Sequence, residues 1–110
     1  MQLSGSSPRT AAIIKSQLHG IWLDNLPIMR DRLDRLEAFA VIAGNGEVTA
    51  QQHCDALNIA HKMAGSLGIF GFTAAGELAH RMELMLRSSQ PIDAAQLTRL
   101  NDSLRSSLNL

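Results

Sequence analysis

Apolar residues in this chain recur at spacings of three and four, and no segment alternates between apolar and polar residues over a useful length. The first spacing places side chains on one face of an α-helix, whereas a half-buried strand needs a period of two. Aromatic residues make up only 4% of the sequence and tyrosine is absent, so the core must be built from Leu, Ile, Ala and Met. The sequence therefore predicts an all-α chain.

Glycine, proline and helix-capping residues divide this periodic pattern into separate elements. The Gly-Asn-Gly turn at residues 44–46 and the Ser/Pro segment at residues 88–91 mark two ends. We expect Pro27 to break or kink the first apolar stretch, which leaves open whether residues 10–43 form two helices or one kinked helix. The next predicted helix is capped near Glu47 or Thr49 and runs through Leu67. A tight connection at Gly68–Phe72 joins it to a helix capped by Thr73. A last helix is predicted to start near Asp93.

Short connections between amphipathic helices make neighbouring helices antiparallel. The predicted architecture is an antiparallel up-and-down four-helix bundle with an additional N-terminal helix or helical extension. Residues 1–9 are rich in Ser and Gly and are expected to form a disordered leader, which assigns the single bundle domain to residues 10–110. The buried faces are expected to include Ile28, Met29, Leu33, Leu36, Phe39 and Ala40, and then Leu57, Ala60, Ala64 and Leu67.

Composition and charge exclude several function classes. Ten basic residues balance ten acidic ones, so the chain lacks the basic excess of a nucleic-acid binder. It has no apolar run long enough to span a membrane, and its N-terminus lacks the apolar core of a secretory signal. Its one cysteine, Cys54, cannot form an internal disulfide, which fits a reducing compartment. We therefore expect a cytoplasmic protein with no nucleic-acid or membrane partner.

The segment AHKMAGSLGIFGF, at residues 60–72, follows a histidine with residues that have almost no side chain. Glycine inside a helix costs about 0.5–1 kcal/mol relative to alanine, so two glycines here need a reason. At about 100° per residue, His61, Gly65 and Gly68 line one exposed side of the helix. Ala64 turns toward the core. The open backbone beside the histidine predicts a surface on which a partner protein docks.

The same helical geometry places the neighbours of His61. The imidazole is expected at the edge of the bundle, neither in the core nor freely solvated. Lys62 lies about 100° further round the helix and points to solvent. The next helix is antiparallel, so its Arg81 could reach toward His61, whereas His80 points mostly away.

At these residues the chain resembles a histidine phosphotransfer (Hpt) domain of two-component signalling. The typical pattern around the phosphorylated histidine is H-x-x-K-G-S/A-S/A, and His61, Gly65 and Ser66 match it. The usual lysine at the third position after the histidine is Ala64 here, and Lys62 does not occupy the same place in space. The resemblance covers roughly residues 23–108 and is specific at 60–79. This version of the motif is similar to Hpt modules in larger proteins that also carry receiver and diguanylate cyclase domains.

The resemblance implies a role as a phosphocarrier rather than an enzyme. An aspartate in the receiver domain of a response regulator or hybrid kinase would pass a phosphoryl group to His61, which would pass it on. The receiver, which could belong to a diguanylate cyclase-containing polypeptide, would supply the Mg²⁺. The chain itself would then need no cofactor or metal. An unperturbed histidine has a pKa of about 6.5, so neutral imidazole is available as a nucleophile at pH 7. The implied supporting or docking residues are Lys62, Ala64, Gly65, Ser66, Gly68 and Arg81.

Several alternatives stay open at the level of sequence. His61 could be a structural histidine, and the two glycines after it could permit close packing of helices. His53, Cys54 and His61 could share a face as metal ligands, although a structural zinc site needs four convergent ligands. The chain could also be an Hpt-like module that binds a receiver without transferring phosphate, or an unrelated helical interaction or dimerisation domain.

Overall fold

A computed structural model of the protein describes residues 8–110, which form four α-helices. All regular structure in this part of the chain is helical, so the all-α prediction is confirmed. Most of the expected leader, residues 1–7, lies outside the described residues. Residues 8 and 9 are helical, because proline is well tolerated in the first turn of a helix. The helices are α1 (Pro8–Gly44), α2 (Ala50–Ile69), α3 (Thr73–Arg87) and α4 (Ala94–Leu108).

The first helix, α1, is continuous across its internal proline. It spans 37 residues with Pro27 inside, which decides between the two alternatives in favour of one helix. An internal proline leaves the carbonyl four residues earlier without its backbone donor and costs roughly 3 kcal/mol. Trp22 and Met29, on either side of it, are both buried against the bundle. Tertiary packing of both halves therefore maintains the helix across the proline.

The connection between α2 and α3 is a Schellman motif. The backbone N–H of Phe72 donates to the carbonyl of Leu67 (2.9 Å), and that of Gly71 donates to the carbonyl of Gly68 (3.1 Å). Gly71 has a φ of +84°, which glycine adopts without steric cost. Because these bonds close the last turn, α2 runs to Ile69, and the prediction that Gly68 belongs to the connection is wrong.

Capping interactions fix the starts of the later helices. Thr49 and Gln52 form a reciprocal capping box at α2, in which the Thr49 hydroxyl accepts from the backbone of Gln52 at 3.1 Å. Asp93 caps α4 as predicted, and its carboxylate accepts a backbone hydrogen bond at 3.0 Å. The prediction that Thr73 caps α3 is wrong, because the cap position is Phe72 and Thr73 is the first helical residue. The Phe72 ring packs on Trp22, and this contact fixes the start of α3.

The core lies between the four helices and is formed mainly by Leu, Met and Ala. Ile28, which was predicted to be buried, is 49% exposed, because it lies about 100° round α1 from the fully buried Met29. Leu57 and Ala64 are only half-buried, because the buried face of α2 is rotated by about 50° round the helix from the predicted one. The buried residues of α2 are Ala56, Ala60, Met63 and Leu67.

Polar contacts set α4 against α1. The guanidinium of Arg105 lies 2.6 Å from the Asp34 carboxylate and 3.3 Å from that of Glu37. In the core, the buried Asn101 side chain donates to the backbone carbonyl of Leu33 at 3.2 Å. These contacts define the register between the two helices.

The N-terminal part of α1 projects beyond the bundle. A 37-residue helix is about 55 Å long, which accounts for the 58 Å longest dimension, whereas the 20 residues of α2 span only about 30 Å. No side chain of residues 9–21 is fully buried. The architecture is therefore a four-helix bundle whose first helix carries the predicted N-terminal extension. None of the four described helices is long and apolar enough to cross a membrane.

Candidate functional site

His61 lies on α2 at the edge of the bundle, on the side that meets α3. Its side chain is 65% exposed, whereas its neighbours Ala60 and Met63 are fully buried. The predicted edge position is therefore confirmed. The backbone of the histidine is held by the core while its ring remains open to a partner.

A carboxylate on α3 contacts the ring. Nδ1 of His61 lies 2.7 Å from Oε2 of Glu83. The Glu83 side chain is only 8% exposed, because it follows the buried Met82 on the inward side of α3. The hairpin formed by α2, the turn at Gly71 and α3 sets the register that brings the two side chains together.

The Glu83 carboxylate has two further neighbours, Arg87 and His80. Nε and Nη2 of Arg87 donate to the same Oε2 at 3.1 and 2.9 Å, and Nδ1 of His80 lies 3.5 Å from Oε1. Hydrogen bonds from Arg87 and then from His61 lower the pKa of Glu83 from 4.5 to about 2, against the opposing effect of burial. Glu83 is therefore ionised at neutral pH.

The ionised carboxylate determines which nitrogen of His61 carries the proton. A carboxylate anion can only accept hydrogen bonds, so Nδ1 must be the donor. In a neutral ring, this tautomer leaves the lone pair on Nε2. The arrangement matches the carboxylate–histidine pair of hydrolytic triads, in which the acid orients the ring and stabilises positive charge on it. His61 is thus an oriented and accessible nitrogen nucleophile.

Gly65 and Gly68 continue the surface from His61 toward the end of α2. A Cβ atom at either position would meet no other atom within 4 Å. Within residues 8–110, neither glycine makes room for another helix, so the packing alternative for them is wrong. That role belongs to Gly76 of α3, where a Cβ would lie 3.7 Å from the backbone nitrogen of Gly68.

Two predictions about α3 are wrong. Arg81 is exposed, and no hydrogen bond or ion pair in the described part of the chain joins it to His61. It lies two residues before Glu83, about 200° round the helix, and therefore points away from α2. His80 was expected to point away, yet it lies nearly one turn before Glu83 and shares its carboxylate.

The remaining predicted residues lie near His61. Among residues 8–110, no side-chain hydrogen bond or ion pair joins them to its ring. Lys62 is exposed and lies about 100° round α2 from the histidine. Ala64 is half-buried against α3. Ser66 is half-buried, and its carbonyl accepts from the N–H of Phe70 at the end of α2 at 3.1 Å.

Glu83 and Arg87 were not predicted as site residues from the sequence. The available signal was an acidic residue on an apolar stripe, because Glu83 lies beside Ala79, Met82 and Leu86 at helical spacing and shares their burial. A charged residue at such a position is rarely buried unless it is paired. The identity of its partner depends on the register of the α2–α3 hairpin.

The three residues considered as metal ligands have other contacts. Nε2 of His53 bonds to the backbone carbonyl of Leu86, and the exposed thiol of Cys54 lies 3.8 Å from the Asn58 amide. Among residues 8–110, no group of three or more His, Cys, Asp or Glu side chains is placed to hold a metal ion.

Comparison with known proteins identifies the family. The family model of the Hpt domain matches residues 17–109. Protein RcaC of Microchaete diplosiphon is 33% identical over 69 residues, which cover 63% of this chain and 11% of RcaC, so the chain corresponds to a small part of that protein. No solved structure matches the chain significantly. The chain therefore belongs to the Hpt domain family, and this membership supports a role in histidine phosphotransfer.

Proposed function

We propose that His61 is the phosphoacceptor of this domain and that it reacts through Nε2. The observation that carries the proposal is the 2.7 Å contact between Nδ1 of His61 and the ionised Glu83. This contact fixes the proton on Nδ1 and leaves the Nε2 lone pair free, on a side chain that is 65% exposed. The small residues that follow supply room for a second protein beside that nitrogen.

The proposed step transfers a phosphoryl group from a receiver-domain aspartate. The Nε2 lone pair attacks phosphorus, the Nε2–P bond forms, and the bond between phosphorus and the aspartyl oxygen breaks with its electrons returning to the carboxylate. The His61 ring becomes positively charged, because Nδ1 retains its proton while Nε2 gains the phosphoryl group. The Glu83 anion stabilises that developing charge, and this favours the forward attack.

The partner is a receiver domain that docks over His61, Gly65 and Gly68. We propose that this partner supplies the Mg²⁺ and the cations that balance the phosphoryl charge, since Ala64 stands where the family usually has lysine. Lys62 points to another side of α2, and Arg87 is engaged by Glu83. On this proposal the chain is a phosphocarrier that needs no cofactor of its own and is not an enzyme.

The wider setting is also a proposal. The motif AHKMAGSLGIFGF supports an origin in, or a partnership with, a polypeptide that carries receiver and diguanylate cyclase domains. Cys54 is a free thiol, which supports a cytoplasmic location, where thiols stay reduced.

A second candidate function is receiver binding without phosphotransfer. The observation in its favour is Ala64, because a missing cation beside the acceptor would slow the reaction and still allow docking. The two candidates differ only in whether a covalent phosphohistidine forms.

The discriminating experiment uses a panel of receiver domains loaded with radiolabelled phosphate, each mixed with the chain and Mg²⁺. We expect acid-labile, alkali-stable label on the wild-type chain and none on His61→Gln. His80→Gln is the matched control, because His80 also contacts Glu83 and is similarly exposed, and it should retain label. Label on His61→Gln would overturn the assignment. Binding of a receiver without any transfer would favour the second candidate.

A further inference from the structure

The N-terminal half of α1 exposes an unusual amount of apolar surface. Eight large apolar side chains are conspicuously exposed among the described residues, and five of them lie within residues 8–28. A lone helix of fewer than about 12–15 residues is marginally stable in water without packing on an apolar face. The extension therefore presents a surface that packing against another molecule would stabilise. The five residues are Ile13, Ile14, Ile21, Leu23 and Ile28.

Part of this surface has the spacing of a coiled-coil seam. Six positions on one side of α1 alternate in steps of three and four, which is the a/d pattern of a heptad repeat. In the next heptad the a and d positions are Arg32 and Arg35, so the apolar pattern ends at Ile28. We call the six positions the α1 seam; they are Ala11, Ile14, Leu18, Ile21, Asn25 and Ile28.

The seam is largely uncovered within residues 8–110. Ile14 is 48% exposed, Ile21 is 50% exposed and Ile28 is 49% exposed. Leu18 is half-buried because it lies in a groove with Phe70. A seam with a 3.5-residue repeat matches a helix that carries the same repeat.

We propose that two copies of this chain dimerise through the α1 seam as a parallel two-stranded coiled coil. A second copy of the chain has the same α1 helix and therefore carries the same heptad repeat. In a parallel pair, Asn25 occupies equivalent a positions in both helices, where an asparagine pair sets register and favours two strands. Each Lys15, at an e position, then faces the uncharged g residue Thr10 of the other chain.

The antiparallel arrangement is disfavoured by charge. When Ile14 of one helix is placed opposite Leu18 of the other, the two Lys15 side chains approach each other across the seam. Like charges placed together destabilise an interface. The parallel arrangement avoids this repulsion.

The first experiment measures the mass of the full chain in solution by sedimentation equilibrium over a range of concentrations. We expect wild type to approach twice the 11.9 kDa chain mass as concentration rises. Ile21→Glu should remain at the monomer mass, because it places a charge in the seam. Leu23→Glu is the matched control: Leu23 is 49% exposed but lies on the opposite side of α1, and this variant should dimerise like wild type.

Three outcomes would overturn the proposed interface: a wild-type monomer at every concentration, an Ile21→Glu dimer, or equal loss of the dimer in Leu23→Glu. Circular dichroism of each variant verifies that the bundle is folded. None of these outcomes concerns phosphorylation of His61. The proposed dimer and the proposed phosphoacceptor are therefore tested independently of each other.

The second experiment tests orientation in a Cys54→Ala background. A cysteine at position 14 lies opposite its counterpart in a parallel pair, so Ile14→Cys should form a disulfide-linked dimer on mild oxidation. Leu23→Cys, which lies outside the seam, should not. If Ile14→Cys fails to cross-link in a chain that still dimerises, the parallel orientation is wrong.

Discussion

At the scale of single residues, the chemistry of the site depends on Glu83. His61 could be identified from its own neighbours in α2. The carboxylate that orients it could not, because the pairing depends on how α3 is set against α2 rather than on any local pattern. The same dependence explains the error about Arg81, since a two-residue difference along α3 turns a side chain from facing α2 to facing solvent.

Replacing Glu83 by glutamine separates orientation from charge. The amide oxygen of Glu83→Gln can still accept the Nδ1–H bond, but the negative charge that stabilises the phosphorylated ring is lost. We expect phosphoryl transfer to His61 to slow by roughly 10–100-fold, the loss typical when a carboxylate that supports a functional histidine is replaced. Single-turnover transfer from a labelled receiver measures it. Glu77→Gln, an exposed change on α3, is the control, and equal rates for Glu83→Gln and wild type would contradict the role of Glu83.

Glu83 should also make stability depend on pH. Its pKa in the folded chain is lowered from 4.5 to about 2, so its contribution is complete above 4.5 and is lost as pH falls toward 2. Over that window the free energy of unfolding should fall more steeply for wild type than for Glu83→Gln. Urea unfolding followed by circular dichroism at stepped pH measures the difference. Parallel profiles for the two chains would mean that the His61–Glu83–Arg87 contacts do not stabilise the fold.

At the scale of elements, local signals predicted most helix ends. Thr49 and Asp93 cap their helices because a side-chain oxygen satisfies a free backbone N–H, an effect contained within four residues. Two boundaries were misplaced. The end of α2 lies beyond Gly68 because the backbone bonds of the turn at Gly71 close its last turn, and the start of α3 at Thr73 is set by packing of Phe72 on Trp22. The continuity of α1 across Pro27 also depends on burial at both sides, which the local sequence does not encode.

The glycines of α2 give a prediction at this scale. Gly65→Ala adds a methyl group where nothing lies within 4 Å, so it should stabilise the fold by about 0.5–1 kcal/mol. If a receiver needs that space, phosphoryl transfer should slow several-fold despite the gain in stability. Gly20→Ala, at an equally open position in the extension, should stabilise without changing transfer. Thermal unfolding and transfer rates, measured on both variants, test the docking surface; unchanged transfer in Gly65→Ala would argue against it.

At the scale of the whole molecule, the bundle was predictable because apolar periodicity and short connections leave few other arrangements. Apolar periodicity did not predict how the α1 extension packs onto the bundle. Trp22 makes that junction: its ring lies 5.3 Å from that of Phe70 and 4.6 Å from that of Phe72. The same cluster holds the turn that sets the α2–α3 register, and so it supports the His61–Glu83 pair from a distance.

Trp22→Ala should therefore destabilise the whole bundle. Trp22 is 7% exposed, and truncation of a buried tryptophan costs about 3–5 kcal/mol. Because this is the only tryptophan, urea unfolding is followed by circular dichroism rather than by fluorescence. Leu23→Ala, at the exposed neighbouring position, should change the free energy of unfolding by no more than about 0.5 kcal/mol. Similar losses in the two variants would contradict the role of the aromatic cluster.

The most direct test of His61 as the phosphoacceptor is to locate the phosphoryl group on the phosphorylated chain by nitrogen- and phosphorus-detected NMR. We expect one phosphohistidine, at His61, with phosphorus bonded to Nε2 and the proton retained on Nδ1. A phosphoryl group on Nδ1, or on His19, His53 or His80, would contradict it.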